Sequence, residues 1–194
     1  MYPSQDDIRR LHRKYAPDDI AFDIVYTHSA IVRDIAFELI RINDVEMNVA
    51  LVETGALLHD IGTYSLYADG KFDRKNYISH GIRGYKILRE ENYPEEVCRI
   101  ASNHTGMGIT KQMIIEQSLP LPVGDYMAGT IEERLVMYAD KFHSKTPKFN
   151  TFESYLAFSE QFGPEVGNRF KSLRDEFGLP NLAVFSKKYG HPVV

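Results

Sequence analysis

Apolar residues recur at helical spacing along almost the whole chain. Residues 5–15 read as a charged amphipathic helix halted at Ala16-Pro17, and 18–43 as a longer pattern interrupted near Tyr26-Thr27. A segment over 45–60 runs from Val45 into His59-Asp60, and a polar, Gly-containing loop is expected at 62–78. Helices are predicted at 79–92, ending before Pro94, and at 94–104, ending at His104-Thr105-Gly106. Residues 118–130, punctuated by Pro120, Pro122, Gly124 and Gly129, read as a loop. A helix over 131–144, two more near 151–161 and 164–177, and a short one after Gly178-Leu179-Pro180 complete the pattern. No run alternates at period two for more than a few residues, so no sheet is predicted. The expectation is an all-α helical bundle forming a single domain over 1–194.

Composition narrows the class without selecting an activity. A chain of 194 residues is long enough to bury roughly 70% of the surface its unfolded form exposes. With 43% apolar and 26% charged residues it has the make-up of a soluble globular protein. No window approaches the ~20 apolar residues of a membrane span, and the N-terminus carries no secretion-type segment. The single Cys98 allows no internal disulfide and, beside Val97 and Ile100, reads as a buried thiol. A reducing, cytoplasmic setting is therefore expected. A net charge of −4 argues against general affinity for nucleic acid.

The candidate chemistry begins with His59-Asp60, which closes the apolar stretch Ala56-Leu57-Leu58 and precedes Ile61-Gly62. An imidazole and a carboxylate buried together need hydrogen-bond partners or a cation. Helical spacing turns further groups toward the core. His28 shares a face with Val32, Ile35 and Leu39; His104 follows Val97, Ile100 and Ala101; Asp140 lies with Val136 and Met137. His80 opens a helix whose Gly84, Ile87 and Leu88 face the same way. One inward histidine is ordinarily a hydrogen-bonded core residue. Four inward imidazoles and two inward carboxylates gathered in one place would form the ligand set of one or two transition-metal ions. No cysteine joins them, so a closed thiolate zinc site is excluded. Imidazole with carboxylate suits Fe, Mn, Co, Ni or Zn without choosing among them, and leaves coordination positions for water and substrate.

Five phrases carry a family resemblance: His28, Leu57-Leu58-His59-Asp60-Ile61-Gly62, His80-Gly81, Asn103-His104-Thr105-Gly106 and Tyr138-Ala139-Asp140-Lys141. Together they resemble the HD-domain superfamily of metal-dependent phosphohydrolases. The likeness covers about residues 20–145 and leaves 146–194 as a C-terminal helical extension. It is nearest the dinuclear subset that includes small hydrolases of dinucleoside polyphosphates. The resemblance implies one ion held by His28, His59, Asp60 and Asp140, and a second by His80 and His104 with Asp60 bridging. A metal-bridged hydroxide would be the nucleophile, which makes Asp60, His80 and His104 the candidate catalytic residues. The implied reaction is hydrolysis of a phosphate ester or anhydride, of a nucleotide or dinucleotide. A few relatives use the same ligands as a mixed-valent di-iron oxygenase, and a non-enzymatic nucleotide- or metal-binding regulator is a further alternative. The implied partner is a small phosphorylated substrate, with a homodimer left open and neither nucleic acid in general nor membrane expected.

This chain departs from the pattern after the motif, where many HD proteins of the second-metal type carry a lysine and Thr63-Tyr64 stands instead. Lys141, His143, Lys145 and Lys148 are the candidates for the missing phosphate contact, with a solvated basic surface as the plain alternative. His143 lies three residues beyond Asp140, one turn along the same predicted helix. Glu53, two turns before Asp60, is a candidate acceptor for an imidazole N–H or a partner in an interhelical salt bridge. His12 and His191 sit in polar or terminal contexts and read as bystanders. Phe149, Phe152, Tyr155, Phe158 and Phe162 read as core rather than as a stacking platform.

Overall fold

Ser4 begins the first helix by accepting a hydrogen bond from the Asp7 N–H, while the Asp7 carboxylate takes the Ser4 N–H. This capping box opens α1 (Gln5–Tyr15). The computed structural model describes residues 2–43, 46–68 and 70–194. Next comes α2 (Asp19–Asn43), unbroken through Tyr26-Thr27 where the pattern predicts an interruption. Tyr26 stacks on Phe22 with ring centroids 5.2 Å apart and meets His12 edge-on at 5.1 Å. Packing thus carries the helix through residues of modest helical propensity.

Asn48 caps α3 (Val49–Leu58) through the Leu51 N–H; the expected start at Val45 lies outside the described residues. The predicted 62–78 loop contains a 3-10 turn (Ile61–Leu66), a small hairpin of β1 (Tyr67–Ala68) and β2 (Lys71–Phe72), and a second 3-10 turn (Tyr77–Ser79). Helices α4 (His80–Glu90) and α5 (Glu95–Asn103) follow as expected. The hydrophobic pattern does not mark α6 (Lys111–Glu116), because six residues make fewer than two turns; its cap is the Thr110 hydroxyl.

Thr130 caps α7, which runs Ile131–Asp140 and so stops short of the predicted 144. Asn150 is the reason: its side chain takes the Lys141 carbonyl and its N–H the Phe142 carbonyl, both at 3.0 Å. The chain turns there into β3 (His143–Ser144), paired with β4 (Lys148–Phe149). Three helices close the chain: α8 (Phe152–Glu160), α9 (Pro164–Phe177) and α10 (Leu182–Tyr189). The fold is all-α, with two tiny hairpins as the strands among the described residues.

One apolar cluster joins Val32 of α2, Leu57 of α3, Leu88 of α4, Ile100 of α5 and Val136 of α7 with Phe170 and Phe177 of α9 and Phe185 of α10. Cys98 is buried within it. Glycines let α4 press close to the turn after Asp60. A Cβ on Gly62 would lie 2.1 Å from the His80 carbonyl oxygen and 2.2 Å from the Gly84 nitrogen. That approach brings the start of α4 over the end of α3. Among the described residues no helix is long and apolar enough to cross a membrane.

Candidate metal centre

Five helices deliver the six candidate ligands, mostly from their ends. His28 projects from within α2, His59 ends α3, His80 opens α4, His104 ends α5 and Asp140 is the last residue of α7. All four imidazoles and Asp60 are buried, and Asp140 is nearly so. The structure brings them together as two groups, His28–His59–Asp60–Asp140 and Asp60–His80–His104.

Asp60 belongs to both groups through different oxygens. Its Oδ2 lies 3.2 Å from His28 Nε2 and 3.4 Å from His59 Nε2. Its Oδ1 lies 3.3 Å from His80 Nε2 and 3.6 Å from His104 Nε2. Asp140 Oδ1 faces the first pair only, 2.9 Å from His28 Nε2 and 3.4 Å from His59 Nε2.

The ring protons show what the site is built to accept. His59, His80 and His104 each place Nδ1 at 2.7–2.8 Å from the carbonyl three residues earlier, those of Ala56, Tyr77 and Ala101. A carbonyl only accepts, so each Nδ1 carries the proton, and at His80 and His104, which burial keeps neutral, Nε2 presents a lone pair. Yet those two Nε2 atoms face each other at 2.9 Å, and His28 Nε2 lies 3.3 Å from His59 Nε2. Opposed lone pairs beside two carboxylates repel unless a positive charge lies among them. Asp60 Oδ2, fully buried, has no hydrogen bond among the described residues; the Lys145 ammonium lies against it as an ion-pair partner without hydrogen-bond alignment. The donor set and this orphaned oxygen fit divalent transition-metal ions.

Electrostatics at the centre follow the same demand for cationic charge. Burial would lift the Asp60 carboxyl, but the Lys145 ammonium and His59 hold it well below the usual carboxylate range. Burial is likewise outweighed at Asp140, chiefly by the Lys141 ammonium. Burial would lower His59, yet the Asp60 charge drives it up to about 9. At His80 and His104 burial outweighs the same Asp60 pull, taking His80 down to about 3 and lowering His104.

A cavity of about 710 Å³ opens onto this cluster. Its inner end holds His28, His80, His104, Asp140 and Lys145. One wall comes from the 105–119 segment, including Met107, Ile109 and Met113, and the other from α8, with Tyr155, Phe158 and the neighbouring Phe162. Its size and mostly apolar lining suit a small-molecule site.

The HD domain family model matches residues 25–145. The chain belongs to the HD domain family. This HD-domain protein is 37% identical over 158 residues to the uncharacterized protein MJ0778 of Methanocaldococcus jannaschii, covering 78% of this chain and 86% of that one. It is 32% identical over 173 residues to the tRNA (cytidine(56)-2'-O)-methyltransferase of Picrophilus torridus, covering 84% of this chain but only 47% of that longer protein. Its fold matches the HD domain of the L. monocytogenes phosphodiesterase PgpH, with a TM-score of 0.56, 17% identity, and 94% and 98% of the two chains covered. The same domain in complex with cyclic-di-AMP gives a TM-score of 0.57, 20% identity, and 97% and 100% coverage.

Around the HD ligand set, several side chains take places that the sequence pattern did not assign. Lys141 and His143 are buried rather than part of a solvated basic surface. The Lys141 ammonium donates to Asp140 Oδ2 at 2.6 Å and to the His104 carbonyl at 2.8 Å, which orients both candidate ligands. Lys145 reaches Asp60 and donates to the Tyr77 hydroxyl at 2.6 Å. Tyr77 itself stacks on His80, with centroids 4.6 Å apart. Lys148 stays exposed on the cavity rim. His143 reaches His28 because the chain leaves the helix at Asp140, not because a helical turn continues.

Both bystander histidines prove engaged. His12 is fully buried, and His191 lies 2.9 Å from His143. Glu53 turns away from the imidazoles and accepts from Gln5 on the surface. Of the aromatic set, Phe149 and Phe152 are core, but Phe158 and Phe162 are 50% and 53% exposed and stand at the cavity. Periodicity is blind to such a wall, since an apolar residue facing a cavity is spaced like one facing the core.

Proposed function

We propose that this HD-domain protein is a metal-dependent hydrolase of a phosphate ester or anhydride, with a nucleotide or dinucleotide as substrate. One observation carries the reading: Asp60 turns one oxygen to each of two imidazole pairs whose Nε2 atoms confront each other. On this reading His28, His59, Asp60 and Asp140 hold one divalent transition-metal ion, and His80, His104 and Asp60 a second. Fe, Mn, Co, Ni and Zn all suit these donors. When bound, such ions supply Lewis acidity and lower the pKa of coordinated water, the chemistry of in-line displacement at phosphorus.

The chain's own groups divide the remaining work. Asp60, His80 and His104 are the catalytic residues: the two imidazoles line the cavity, fixed by their backbone bonds, and Asp60 is buried directly behind them. Lys141 holds Asp140 in place. Lys145, on a flexible stem beside Asp60, puts a positive charge within reach of a phosphate oxygen and takes the part of the lysine absent after Gly62. The apolar walls exclude water and match the face of a base. The C-terminal extension supplies one of those walls, which supports reading 1–194 as one domain. That the PgpH HD domain is described in complex with cyclic-di-AMP supports a nucleotide as the ligand class.

The test is phosphate release or dinucleotide cleavage by purified protein loaded in turn with Mn, Fe, Co, Ni or Zn. Mononucleotides, cyclic dinucleotides and dinucleoside polyphosphates form the substrate panel. Turnover that disappears in Asp60→Asn is expected. A protein that binds its ions fully yet cleaves no member of the panel with any metal would refute the reading.

A further inference from the structure

His28 is held differently from the other three imidazoles. They donate Nδ1–H to a carbonyl three residues back, at the ends of their helices. His28 lies within α2, where the preceding carbonyls are committed to the helix itself. Its Nδ1 instead lies 2.9 Å from Nδ1 of His143, and His143 Nε2 lies 2.9 Å from Nδ1 of His191. The rings meet edge to edge, 24° and 16° from coplanar with centroids 5.2 Å apart in both pairs, as N–H···N hydrogen bonds require.

Two facing ring nitrogens share one proton, so the three neutral tautomers are locked together. In one polarity His28 carries Nδ1–H and donates to His143, which carries Nε2–H and donates to His191. His28 Nε2 is then a free lone pair. In the other polarity His191 donates inward, and the His28 proton sits on Nε2, aimed at Asp140 Oδ1 at 2.9 Å. Only the first polarity leaves His28 able to bind a cation.

We propose that His143 and His191 are positioning residues that set His28 in its ligating tautomer and so tie one half of the centre to the C-terminal tail. The inference rests on the metal reading above. The tail is well seated for the task. Ser186 Oγ donates to the His191 carbonyl at 2.6 Å, the Phe149 N–H to the Pro192 carbonyl at 2.8 Å, and the Val194 N–H to the Phe149 carbonyl at 2.9 Å. His191 stands outside the 25–145 match, so this chain adds to the family domain a control reaching in from its extension.

Zinc, being diamagnetic, is the probe. Long-range ¹H–¹⁵N spectra of the zinc-loaded full chain should show Nδ1–H at His28 and Nε2–H at His143. His143→Leu should weaken one of two zinc ions by about tenfold to a hundredfold and leave the other unchanged. His143→Gln, whose side-chain carbonyl can accept from His28, should restore most of that affinity. In the metal-free chain, where no ion fixes His28, His191→Ala, on the accessible side, should release His143 from Nε2–H into a mixture of tautomers.

A zinc-loaded His28 protonated at Nε2, or His143→Leu binding both ions as wild type does, overturns the proposal. If His143→Leu does not fold, metal-free His191→Ala decides: an unchanged His143 tautomer sinks the relay. Wild-type protein that takes up no zinc overturns the metal reading instead, and stoichiometry tells the two failures apart.

Discussion

His12 is sealed beneath α1, with Nε2–H on the Leu57 carbonyl and Nδ1 accepting the Tyr64 hydroxyl, both at 2.8 Å. Both nitrogens are satisfied only while the ring is neutral. Burial accordingly takes its pKa down to about 4 from an ordinary 6.5. Between those pH values the unfolded chain binds a proton that the folded chain excludes, so stability rises with pH across the window. The contribution is complete above about 6.5 and gone near 4, and amounts to about 3 kcal/mol. His12→Gln should lose that part of the acid dependence, measured as the wild-type-minus-variant difference in denaturant unfolding over pH 4–7. Groups common to both proteins cancel in the difference; parallel curves would show that His12 carries none of it. Helical spacing puts His12 on the face of Ile8, but Arg9, Arg10, Arg13 and Lys14 around it hide that inward position in a charged stretch. Its partners arrive from about fifty residues downstream.

At the level of elements, Gly62 shows why the motif ends in glycine. The 3-10 turn Ile61–Leu66 packs so closely on α4 that a Cβ would strike the His80 carbonyl and the Gly84 nitrogen, both backbone atoms that cannot swing aside. Gly62→Ala must push α4 away, and His80 rides on its first turn, 3.3 Å from Asp60 Oδ1. The expected cost is about 1–3 kcal/mol of stability, together with selective loss of the zinc held by His80 and His104. Zinc stoichiometry falling from two to one per chain, beside a lowered unfolding midpoint, would bear this out; a lowered midpoint with both ions retained would refute the link. The long helices were readable because each lays a broad apolar stripe on the core. Two features escaped that signal: α6 is too short to show a period, and the end of α7 is set by Asn150, ten residues beyond Asp140.

Over the whole molecule, the candidate ligands were readable because each faces the core on its own helix, where a polar group stands out. The relay through His191 and the aromatic wall were not, because their partners meet only after the C-terminal segments fold back. That same assembly couples the site to stability. Residues from α2, α3, α4, α5 and α7 converge there, and the lone-pair confrontation of His80 and His104 at 2.9 Å opposes folding until a cation separates them. An ion that binds only the folded chain stabilises it by about 2.7 kcal/mol per site at a hundred times its Kd. For a domain of this size that is a rise in Tm of roughly 5–10 °C. Since the chain has no tryptophan, circular dichroism is the suitable readout. Zinc or manganese should raise the midpoint, and a chelator should reverse the gain. One transition should move as a whole, because Phe170, Phe177 and Phe185 share the core with the ligand-bearing helices. Asp60→Asn should abolish the shift, since both groups draw on Asp60 and an amide carries no charge to hold either ion. A variant stabilised by metal as much as wild type would place the ions elsewhere and remove the ground for the hydrolase reading.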